Sequence, residues 1–139
     1  METAIAFSLL GDGRRRPDSP KNSTMSLERI SCGTRMSDVV VHTGVAYLSG
    51  KVPTDFSASF VEQTKDVLAT IDKLLAQAGS DRSRMLRAEI FLKDIAHWAE
   101  MNTVWDAWVT PGATPARATV QAQMAHPDCL IEIMVTAAV

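Results

Sequence analysis

The chain has 139 residues, 46% of them hydrophobic and 22% charged, which suits one globular domain with a single core. Fourteen basic and sixteen acidic side chains leave a formal charge of −2 and no basic stripe, which excludes nucleic acid as the main partner. No apolar run approaches the ~20 residues of a membrane span, and Cys32 and Cys129, outside any CxxC or Cys/His cluster, read as buried reduced thiols of a cytoplasmic protein.

Met1 to Thr24 reads as a flexible extension, either a real tail, an upstream start or a vector remnant. Its apolar stretch Ala4 to Leu10 is short, and Arg14, Arg15 and Arg16 follow it instead of preceding it, unlike a signal peptide. Gly11 to Thr24 is rich in Gly, Pro, Ser and charge, and the folded domain is expected over residues 25–139, with Met25 a natural initiator. Leu27 to Cys32 is a possible strand. Ser37 to His42 and Val45 to Ser49, separated by Thr43-Gly44, read as a β-hairpin.

A helix follows, opened by the capping box Ser59 to Glu62, striped by Phe60, Thr64, Val67, Leu68, Ile71, Leu74 and Leu75, and stopped at Gly79. Arg87 to Leu92 is a short strand. After Lys93-Asp94, a second helix carries Trp98, Met101, Trp105 and Trp108 at spacings of three and four, a core stripe with no chemistry assigned to it, and ends before Pro111-Gly112. Ala118 to Met124, a turn around His126-Pro127-Asp128, and Leu130 to Ala137 read as a terminal hairpin. The order β-β-β-α-β-α-β-β predicts an α+β domain with two helices on one face of a mixed sheet.

Alternation in the terminal strands sets out the candidate chemistry. Arg117, Thr119, Gln121 and Gln123 share one face, and Ala118, Val120, Ala122 and Met124 the other. Glu132 is a lone acid in an apolar strand. A carboxylate so placed must pair, hydrogen-bond or take up a proton, which makes it an acid/base candidate; the same pattern also fits a solvated or subunit-facing side of the sheet. Arg117 follows Pro115-Ala116, which stiffens the strand entrance, and a guanidinium there suits bidentate binding of a carboxylate, or else a surface ion pair worth about 0–1 kcal/mol. His42, His97 and His126 do not have the spacing of a local metal site.

Pro115-Ala116-Arg117-Ala118-Thr119-Val120, followed by Leu130-Ile131-Glu132-Ile133, resembles the C-terminal signature of the Rid (YjgF-type, RutC-like) family. Leu48-Ser49-Gly50-Lys51-Val52-Pro53 is similar to the family's serine-glycine strand end, and Ile90-Phe91-Leu92-Lys93-Asp94 with Met101-Asn102 to its lysine-aspartate turn and asparagine. The stretch from Asn102 to Val109 resembles more closely a less-studied, YoaB-like branch. The resemblance covers residues 25–139 and implies a chorismate-mutase-like fold, a homotrimer with ligand sites between subunits, and a small imino or keto acid as ligand. It matches Arg117 to the substrate's carboxylate clamp and Glu132 to the group that directs water, with Ala118, Thr119, Ser49, Asn102 and Met36 at or near further pocket positions. Met36 stands near a position that is tyrosine in well-known deaminases, and Thr119 replaces a frequent cysteine, which puts pocket shape in question more than the clamp.

The expected reaction is hydrolysis of reactive 2-imino or enamino acids to 2-keto acids and ammonia, without cofactor or metal, because an iminium carbon is already electrophilic. In a tight terminal hairpin Glu132 lies opposite Val120 to Ala122, about 10–17 Å from Arg117 at ~3.4 Å per residue, so different subunits are one way to join them. A carboxylate-binding sensor, a trimeric interaction or chaperone-like protein, and RNA cleavage are the competing readings; the acidic balance speaks against the last.

Overall fold

The computed structural model describes residues 26–139, so the extension expected over residues 1–24 lies outside the described residues. Three strands come first: β1 (Glu28–Cys32), β2 (Ser37–His42) and β3 (Val45–Leu48). Thr43 and Gly44, at φ of 50° and 74°, make the β2–β3 turn with two left-handed residues, which matches the twist of the flanking strands. Helix α1 (Phe60–Gln77) begins where the Ser59 side chain accepts the Glu62 N–H, as the capping pattern requires. It ends at Gly79, whose φ of 78° carries the chain out of the helix.

β4 (Met85–Leu92) starts two residues earlier than the sequence suggests, with a register irregularity between Met85 and Arg87. After a short 3-10 turn comes α2 (Trp98–Trp108), then β5 (Ala116–Gln121) and β6 (Ile131–Ala138). The six strands form one mixed sheet in the order β1-β2-β3-β6-β4-β5. Both helices pack on the same face, over the apolar stripe Val39, Ala46, Leu48, Ala88, Ile90, Ile131, Ile133 and Val135.

The terminal hairpin does not form. β6 inserts between β3 and β4, antiparallel to both, while β5 pairs in parallel with the outer edge of β4. Two causes account for this. The α2 crossover from β4 returns the chain in the same direction, so β5 must pair in parallel. β6 carries Ile131, Ile133, Val135 and Ala137, all at most 1% exposed, and this burial calls for neighbours on both sides. The strand expected to reach Met124 stops at Gln121, and residues 122–130 cross the end of β4.

Two smaller expectations also change. Cys129 is buried, but Cys32, at the end of an edge strand, is exposed; neither is in a disulfide. In the stripe of α2, Met101 and Trp105 are buried, whereas Trp98 sits in the first turn and is 50% exposed. Among the described residues no helix is long and apolar enough to cross a membrane.

Candidate functional site

Arg117 is the second residue of β5. Its register partner is Ala88, which is fully buried, so the arginine points to the helix side of the sheet. There its guanidinium lies 5.2 Å from the centroid of the Trp105 ring. This cation–π contact orients the group, and among the described residues its N–H donors are unspent and it has no carboxylate partner. Thr119 projects to the same side two residues on, and its Oγ1 is shielded from solvent without a hydrogen-bond partner. Asn102 is half-buried on α2, one turn before Trp105.

Glu132 is the second residue of β6 and faces away from the helices. It is half-buried, and among the described residues its carboxylate takes part in no hydrogen bond or ion pair. Its side chain lies against the Cα of Gly50: a Cβ there would fall 2.0 Å from Oε1 and 3.0 Å from Cδ. The strand end around Gly50 is held firmly. Lys51 and Ile133 exchange backbone hydrogen bonds at 2.8 and 3.0 Å, Ser49 N donates to Asp38 O at 3.0 Å, and Lys51 Nζ pairs with Asp38 Oδ1 at 2.5 Å. Ser49, the residue before Gly50, turns its own hydroxyl to the Asp38 carbonyl at 3.5 Å. Near Glu132, burial pushes the Cys129 thiol above its ordinary range, and the Glu132 carboxylate adds to that while Lys93 opposes it.

A single chain does not bring the arginine and the glutamate together. Glu132 pairs with Phe91 and Phe91 with Val120, so two strand spacings, about 10 Å, and three residues, about 10 Å more, separate them. They also project from opposite faces. Met36, 58% exposed, sits at the β1–β2 turn, where its carbonyl accepts Gly33 N at 2.9 Å. Ala118 is exposed on the open face, beside Glu89, Phe91 and Val120 around a small hollow of about 180 Å³.

Three participants escaped the sequence reading. Trp105, a core residue by its spacing, also backs Arg117. Gly50 stands out in the sequence only as part of a motif, whereas its missing side chain makes room for Glu132. Gln63, 1% exposed, sits on the buried stripe of α1 with every polar atom bonded; a polar residue at that helical spacing was the available signal.

A family model described as Endoribonuclease L-PSP matches residues 27–139. A RutC family protein of Haemophilus ducreyi is 43% identical over 113 residues, 81% of this chain and 97% of that protein. The RutC family protein YoaB of Escherichia coli K12 is 45% identical over 115 residues, 83% of this chain and all of the relative. This chain belongs to the YjgF/RutC family. A crystal structure of a YjgF-family member from Neisseria meningitidis superposes with a TM-score of 0.80 at 46% identity, covering 83% of this chain and 96% of that one. The Rid resemblance and the chorismate-mutase-like fold read from the motifs both hold, and YoaB stands among the relatives.

Proposed function

We propose that this protein hydrolyses reactive 2-imino and enamino acids to 2-keto acids and ammonia, at sites completed between copies of the chain. The observation that carries the reading is a pair of charged groups unspent among the described residues: a guanidinium steadied by Trp105 on one face, and a carboxylate seated on Gly50 on the other. An ion pair made for stability would have joined them. Here each is available to something else.

Arg117 binds the substrate carboxylate through paired charge-assisted hydrogen bonds. A water beside Glu132 gives its proton to the carboxylate as its oxygen attacks the C=N carbon. The resulting carbinolamine takes a proton on nitrogen and expels ammonia, leaving the keto acid. Orientation and one acid/base group suffice, so the mechanism uses no cofactor. Since the two groups of one chain face apart, Arg117 of one copy works with Glu132 of another. The open sheet face supports this, because Tyr47, Val120 and Met134 are 51%, 48% and 37% exposed on it and a homotrimer packed through that face covers them. RNA cleavage, which the family description suggests, is disfavoured by 14 basic against 16 acidic residues.

The test generates 2-iminopropanoate in situ with an amino-acid oxidase and traps free imine with semicarbazide. Wild-type protein is expected to suppress semicarbazone formation. Arg117→Ala should raise KM by roughly 100-fold, the worth of a bidentate charged contact. Unimpeded trapping by wild type overturns the hydrolytic reading and favours a sensor that binds the carboxylate without turning it over.

A further inference from the structure

The segment 122–130, which returns the chain from β5 to β6, is anchored at several points. Gln63 Nε2 donates to the carbonyls of Asp128 at 3.0 Å, Phe56 at 3.1 Å and Ala58 at 3.2 Å, and its Oε1 accepts Leu130 N at 2.9 Å. The His126 ring stacks on Phe56 at 4.1 Å, and Lys93 Nζ donates to the Pro127 carbonyl. So held, the segment and Lys93 border a cleft of about 620 Å³.

The lining of that cleft is one-sided. It contains the Lys93 ammonium, the amides of Gln121 and Gln123 and the His126 ring, and no carboxylate. Gln121 Oε1 already accepts Ile95 N at 2.9 Å, which leaves its NH₂ group to the cleft. His126 Nδ1 accepts Asp128 N at 3.1 Å, so the neutral ring carries its proton on Nε2. Lys93 keeps N–H donors beyond the one given to Pro127. Donors without acids suit an anion.

The cleft also adjoins the candidate site. Phe91 pairs with Glu132, and two residues on, Lys93 N donates to Leu130 O at 3.1 Å. Lys93, just past the end of β4, is thus diagonal to Glu132 across the β4–β6 pair, about 7–8 Å away at the Cα atoms.

We propose that this cleft receives the side chain of the imino acid and selects substrates with a second anionic group, the imines of acidic amino acids, with Lys93 as the specificity-determining cation. The inference rests on the hydrolytic reading: the α-carboxylate binds Arg117, the C=N carbon lies at Glu132, and the distal carboxylate meets Lys93.

The experiment compares 2-iminoglutarate, made by an L-glutamate oxidase, with 2-iminopropanoate, on wild type and on Lys93→Gln, which keeps a donor for the Pro127 carbonyl. Wild type should show the lower KM for 2-iminoglutarate. Lys93→Gln should raise that KM about 10- to 100-fold and leave 2-iminopropanoate unchanged. No preference in wild type, or an equal change on both substrates, overturns the proposal. Calorimetric titration with 2-oxoglutarate and pyruvate separates the two readings. Tighter 2-oxoglutarate binding that Lys93→Gln abolishes supports the cleft even where turnover fails and the hydrolytic reading falls. Equal binding of both keto acids overturns the cleft even where turnover succeeds.

Discussion

β5 and β6 carry the two candidate groups, and the sheet treats them differently. β6 lies between β3 and β4, with partners on both sides and alternate side chains fully buried. β5 is an edge strand with one neighbour, and its arginine reaches away from the sheet to an indole. A water-activating base must sit within a fraction of an ångström of its target, whereas a long guanidinium on an aromatic platform can adjust to the carboxylate it receives. In the proposed reaction the more exacting role falls to the more constrained strand.

A series of experiments breaks or sharpens that contrast. Glu132→Gln keeps the shape and removes the proton acceptor, so kcat should fall about 10²- to 10⁴-fold with KM little changed in the semicarbazide assay. Refolding Glu132→Gln and Arg117→Ala chains together should restore part of the turnover, since a mixed assembly recreates sites with both groups; no recovery would place both in one chain's site. Gly50→Ala is subtler. The added methyl forces the Glu132 carboxylate to swing aside, which costs little stability because the group is the flexible end of a side chain, yet kcat should drop by about 100-fold. A Gly50→Ala protein with full activity would show that the seat on Gly50 is incidental.

Gln63→Leu tests the scaffold behind β6. It leaves the Leu130 N–H and three carbonyls without their partner, and urea unfolding should register a loss of about 2–4 kcal/mol. The smallest effect concerns the thiols. Cys32 should alkylate quickly and Cys129 slowly in native protein. Because the folded state raises the Cys129 pKa, its contribution to stability is complete below the ordinary value of 9.0 and is lost as pH rises through the folded value. Cys129→Ala should flatten the alkaline limb of the stability profile.

Much of the fold was legible because local signals agreed. The Ser59 cap, the Thr43-Gly44 turn and the Gly79 stop each lie where the chain requires them. The hairpin reading failed because adjacency in sequence does not fix strand order: the α2 crossover from β4 sends β5 to the far edge and leaves the central place to β6. Arg117 and Glu132 could be singled out by residue type and motif, but their opposite faces follow from the register of three strands, which no single strand reveals.

The sequence by itself determined which helix and strand positions form apolar stripes and which residue types stand out against them, because alternation and helical spacing are properties of the chain at short range. It also carried the family, through motifs in the right order. Only the tertiary structure decided that the polar side of β5 lies under α2 while Ala118 and Val120 face outward, that Gly50 makes the space for Glu132, and that Lys93 and the 122–130 segment border a cleft. Those outcomes depend on strand order and long-range packing, where two residues meet only after the whole sheet has formed.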